Sequence, residues 1–295
     1  MTRRAYAFHE LLVAPARPRP ELWRLLAGLA AIMAVSFGLN ALLFAVLVPA
    51  ISPAWGATLP QGGTPGQMTV LLGGFAFVTL GVALVARWLH DRPALGILGP
   101  LPLALGQFWA VFRMLLLLCA ALLLLPPYDM GLPLRPNLSP GHWIGLLPLS
   151  LALVLIQTSA EEILFRGYIQ QSLAARFSSP LAWMVLPSAL FALGHFAPAQ
   201  AGDNAPLIML WAGVFGLMMA DLTARSGTLG PAIAVHFVNN IIALVIVGAP
   251  EGLNGLSLYI LPYEMSDTGL MREWLAVDFA MMAVTWLAAR LALRR

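Results

Sequence analysis

In the stretch "SAEEILFRG", residues 159–167, two carboxylates and a guanidinium fall inside six positions of a chain that is 60% hydrophobic and only 10% charged. On a helix, Glu162 and Arg166 stand four residues apart with the acid on the N-terminal side, the better order for an ion pair. Glu161 lies about 100° further round and cannot use that arginine as easily. One acid is therefore neutralised locally, and its neighbour is left facing elsewhere, placed to work as a general base. His195 closes the apolar segment "LPSALFALGHF". His236 and Asn240, in "GPAIAVHFVNNII", share one helical face, and Asn239 points away from it. Polar groups in such apolar surroundings must find partners or do work. A carboxylate with a histidine can deprotonate water, and a histidine with an amide can stabilise an oxyanion. The same Glu161, His195 and His236 could instead hold a zinc ion with one open position. Either version hydrolyses an acyl bond with activated water. No serine or cysteine is placed to act as the nucleophile.

The elements that must position these residues are apolar runs of about twenty residues, the length an α-helix needs to cross a bilayer. The 295-residue chain has a mean hydropathy of +0.84. Eight spans are expected, near 23–48, 68–86, 103–125, 142–164, 180–197, 206–223, 229–248 and 273–291. The expected fold is an all-α polytopic transmembrane bundle. A cytoplasmic N-terminal tail (1–22) precedes a membrane-embedded domain (23–295) whose chemical core is about 140–248. The tail ends in "PARPRP", which resists helix formation. Its apolar part is too short for a signal peptide. The single cysteine, Cys119, excludes an internal disulfide and a cysteine metal cluster.

All 16 basic residues are arginine. With both termini in the cytoplasm, only Arg135 and Arg272 fall outside and Arg113 lies within a span. The others, Arg3, Arg4 and Arg295 among them, gather at the inner face, as the positive-inside rule requires. Outer loops carry Asp129, Asp203, Glu251, Glu264 and Asp267. A few interfacial arginines do not make a nucleic-acid groove. Arg113 and Asp278 are expected to pair or to snorkel; Asn40 and Asp221 read as packing or interfacial polar residues. The outer loop from about 249 to 270 has no evident role.

The polar set then resembles a known family. "EEILFR" reads as EExxxR, "FALGH" as FxxxH through Phe191 and His195, and "HFVNN" as HxxxN, preceded by "RSGTLGPAIAVH". Over about residues 140–248 the chain resembles the CPBP family of intramembrane proteases, which includes the type II CAAX prenyl endopeptidases. The resemblance implies that Glu161 activates water with help from His195. It further implies that His236 and Asn240 form the oxyanion site, and that Glu162 and Arg166 support the first glutamate. The family is described both as metalloproteases and as metal-free, glutamate-dependent enzymes, so zinc remains one of two versions. The substrate expected is a peptide or protein, membrane-anchored or lipidated. The arginine-only, alanine- and leucine-rich composition points to a bacterial cytoplasmic membrane. Two other classes compete: a non-catalytic scaffold or immunity protein, and a small proton-coupled transporter using Glu161.

Overall fold

The computed structural model describes residues 5–125 and 132–294. Arg3, Arg4, Arg295 and Asp129 of the charge pattern lie outside them. Among the described residues, six helical stretches are long and apolar enough to cross a membrane. They contain α2 (Leu22–Ile51), α4 with α5 (Pro65–Gly73, Ala76–Trp88), α6 (Leu101–Leu123), α7 (Pro140–Glu162), α11 (Ala205–Ser226) with the short α10 (Pro198–Ala201) before it, and α13 (Leu270–Leu293); the short α3 (Pro53–Thr58) follows α2. Two of the eight expected spans are shorter apolar helices, Leu181–Gly194 and Gly230–Ile246. The first holds α9 (Leu186–Gly194) and the second α12 (Gly230–Ile241). This is a multi-pass membrane protein.

Helix α2 shows why composition alone marks a span. Leu26, Met33 and Phe37 are exposed on one side and Leu42 and Val46 on the other, apolar surface of the kind that lipid covers. At the other extreme, every residue of α12 from Gly230 to Val238 is buried. This helix is the hub, packed between α6 and α7 and touching α11 and α13. The α6 crossing needs a residue without a side chain, because a methyl group at Gly230 would overlap the Ala104 carbonyl. At Gly216, where α11 meets α9, an added methyl would come within 3.0 Å of Ser188.

The fourth span departs from expectation. It does not end at the charged residues: α7 continues through a π-helical segment, Ile163–Ile169, into α8 (Gln170–Arg176), as one stretch from Pro140 to Arg176. Arg166 therefore lies inside a helix, on a π segment, a distortion that recurs at functional sites. Glu162 is 0% and Arg166 1% exposed, so packing rather than proximity to water accommodates these charges.

The N-terminal tail also departs from expectation. Ala7–Ala16 forms short helical turns around α1 (Glu10–Val13) before the prolines stop it. Leu12, Val13 and Ala16 are buried against the body, because "FHELLV" offers an apolar face that needs covering. Tyr6 donates to Asp221 Oδ1 at 2.8 Å, and Asp221 also accepts from Arg225 and from the Trp286 indole. Asp221 thus ties tail, α11 and α13 together. Asn40 donates to the Ser36 and Gly74 carbonyls, holding α2 near α4 and α5. Arg113 and Asp278 form no ion pair; Arg113 donates to the Trp109 carbonyl.

The 249–270 loop folds back over the bundle. Two-residue strands β1 (Arg135–Pro136), β2 (Val247–Gly248) and β3 (Tyr259–Ile260) form a small sheet in the order β1-β3-β2. Leu253 N–H donates to the Gln61 carbonyl and Leu256 is fully buried. The loop therefore caps the ends of α4, α7 and α12.

Candidate active site

Helices α7, α9, α11 and α12 converge on Glu162. Its Oε1 accepts from Arg166 Nη1 at 2.9 Å, the pair expected from their spacing. The same oxygen lies 2.8 Å from His236 Nδ1. An ionised carboxylate only accepts, so Nδ1 carries the proton and Nε2 is turned away from Glu162. Nε2 faces Glu161, whose Oε2 lies 3.4 Å from it. Glu161 Oε2 is buried and makes no hydrogen bond of its own. His236 thus stands between two carboxylates, one holding its orientation and one on its working edge.

Aromatic rings enclose this cluster. The Arg166 guanidinium lies 4.7 Å over the Phe191 ring and donates a second bond to the Gly216 carbonyl at 3.2 Å. Phe215 meets the His236 ring at 5.1 Å and Phe191 meets it at 6.0 Å. With water excluded, the charge-assisted bonds around Glu162 are stronger than they would be at a surface.

The remaining expected residues lie at the edge. His195, half-buried at the end of α9, uses Nδ1 on the Phe191 carbonyl at 2.8 Å, and its ring lies 4.4 Å from the Phe191 ring. The motif spacing FxxxH is therefore a contact: the same Phe191 covers Arg166 and touches both histidines. Asn240 donates to Gln157 Oε1 at 2.8 Å and accepts from Asn239 at 3.0 Å. Gln157 was not singled out from the sequence, although it precedes Glu161 by one helical turn and interrupts an apolar run. Phe215 and the Gly216 carbonyl gave no sequence signal. Among the described residues, no three His, Cys, Asp or Glu side chains are grouped closely enough to hold a metal. Glu161, His195 and His236 do not form such a set in this arrangement.

Comparison with known proteins falls on the same segment. Residues 143–242, about a third of the chain, match the family described as "Type II CAAX prenyl endopeptidase Rce1-like". A protein of Bacillus subtilis, "Uncharacterized protein YyaK", is 30% identical over 119 residues. That match covers 39% of this chain and 38% of the relative, so the chain spans about two fifths of that protein's length. No solved structure matches. Every residue of the cluster lies within the matched segment.

Proposed function

We propose that the protein is an intramembrane endopeptidase that hydrolyses a peptide bond with water activated by Glu161. The carrying observation is the buried Glu162–His236–Glu161 arrangement inside the Rce1-like segment. Arg166 neutralises Glu162, and Glu162 fixes the His236 ring, leaving the Glu161 carboxylate, 14% exposed and without a hydrogen bond on Oε2, able to accept one from water. In this reading Glu161 takes a proton from water as the oxygen attacks the carbonyl carbon. It returns that proton to the departing amine when the C–N bond breaks. Negative charge on the carbonyl oxygen is met by the second Asn240 N–H, the first being used on Gln157, and by His236 in the form that carries a proton on Nε2 as well as on Nδ1. His195 assists from the open side. No step is assigned to zinc, because the two histidines and Glu161 are not grouped as ligands.

The substrate in this reading is a membrane-anchored or lipidated peptide. Exposed Leu190, Leu193 and Phe196 flank His195, an apolar approach that suits a chain arriving through lipid. The arginine asymmetry supports residence in a bacterial cytoplasmic membrane with both termini inside. Glu161→Gln keeps the shape and removes the base. Purified protein assayed against a peptide library should lose about 10²–10⁴-fold in kcat, and a chelator should leave the wild-type rate unchanged. Cleavage that survives Glu161→Gln would remove this residue from the mechanism.

A further inference from the structure

Apart from the Glu161–His236 cluster, the bundle holds a cavity of about 560 Å³ bounded by α6, α11, α12, α13 and the returning 261–263 segment. This is the size of a site for a small organic ligand. Its wall is mostly apolar, with Leu115, Leu122, Val238 and Met282 among its residues. Asp278 also lines it, from the middle of a helix apolar enough to cross a membrane. It has neither a hydrogen bond nor an ion pair with another described residue, and it is one of the few polar side chains on that wall. A carboxylate within a span is costly unless it meets a countercharge, and such acids mark binding sites and pathways. The arginine expected to supply one, Arg113, is turned to the Trp109 carbonyl.

The surroundings of the cavity select for the same sign of charge. Tyr263 stands at its end, where burial and then the carboxylates of Asp278 and Asp267 push the phenol above its ordinary pKa. It therefore stays a neutral hydrogen-bonding group at that end of the cavity. Beyond it, a polar hollow of about 410 Å³ shares Pro262 and Tyr263 and is lined by Glu264, Asp267 and Arg135. Arg135 is drawn to the Pro262 carbonyl. Two acids against one engaged arginine favour the approach of a cation.

We propose that this cavity binds an apolar molecule carrying a single cationic amine, its hydrocarbon against α6 and α13 and its ammonium on Asp278. The proposal does not rest on the hydrolytic reading, although the two sites adjoin: Phe215, which meets the His236 ring, and Asn239, which donates to Asn240, both line the cavity.

Cys119 lines the cavity and is the only cysteine, so wild-type protein reports occupancy without a variant. In phosphatidylglycerol nanodiscs, which contribute no amine, a small neutral methanethiosulfonate should modify Cys119. A decyl ammonium ion should protect it about tenfold more effectively than decanol, the factor one charge-assisted hydrogen bond contributes. In Asp278→Asn that preference should vanish while decanol protection persists. Equal protection by amine and alcohol in the wild type would overturn the proposal, and so would a preference that survives Asp278→Asn. Protection in phosphatidylethanolamine nanodiscs without added amine would also support the site and identify a lipid headgroup as its source.

Discussion

The Glu162–Arg166 pair is the firmest place to test the energetics of the site. Arg166→Met keeps most of the side-chain volume and removes the charge. In the wild type the guanidinium bonds Glu162 at 2.9 Å and the Gly216 carbonyl at 3.2 Å, and it lies 4.7 Å over Phe191, all with 1% exposure. Removing one member of a buried pair costs about 3–5 kcal/mol, because the other charge is left buried and uncompensated. The lost carbonyl bond and ring contact belong to the same group and are not added on top. Glu162→Gln alone should cost a similar amount, since it strands Arg166 and weakens the bond to His236. The double variant Glu162→Gln/Arg166→Met carries neither charge, so its loss should fall short of the sum of the singles by about 2–3 kcal/mol. Unfolding in mixed micelles by added denaturing detergent, followed by circular dichroism, measures all four corners of the cycle. Additivity within about 0.5 kcal/mol, or a loss below about 1 kcal/mol for Arg166→Met, would refute the view that this pair is a closed buried unit.

Three further outcomes follow from the geometry. Asn240→Ala should lower kcat by about 10²–10³-fold with KM little changed, if its free N–H meets the oxyanion; an unaltered kcat would remove it from that role. Gly230→Ala should destabilise the fold by about 1–3 kcal/mol or more, because the methyl meets the Ala104 backbone, which cannot move aside as a side chain can. A melting temperature equal to wild type would show that α6 and α12 can separate freely. Burial lowers the pKa of His9, which lies outside the spans, from 6.5 to about 4. Between those values the undocked tail binds a proton that the docked tail does not, so docking is fully stable above about pH 6.5 and weakens as pH falls toward 4. The shift corresponds to roughly 3 kcal/mol. Hydrogen exchange of residues 7–16 should therefore accelerate on acidification, and His9→Phe should flatten that response.

Much of this protein is written in local spacing. Apolar runs announced the spans because every backbone polar group in lipid must be satisfied within its own helix. The Glu162–Arg166 pair was legible because i and i+4 are neighbours on any helix, whatever surrounds it. The same rule could have exposed Gln157, one turn before Glu161. Other features needed contacts that spacing cannot supply. The sequence offered the tail as a loose polar segment, yet Leu12 and His9 are buried because α8 and α11 present a surface for them. The fourth span read as ending at its charges, yet a π segment carries it on to Arg176.

The asymmetry between the acids shows the division most sharply. Periodicity alone says that Glu162 is held and Glu161 turned away. That His236 stands between them, 74 residues on from Glu162, follows only from the lodging of α12 between α6 and α7. Asn240 likewise meets Gln157, 83 residues before it, across the same contact. Helix geometry sets which residues of one element share a face. Which faces meet depends on close approaches such as Gly230 against Ala104, and on the gain when a buried charge such as Glu162 finds a further partner, His236, on another helix.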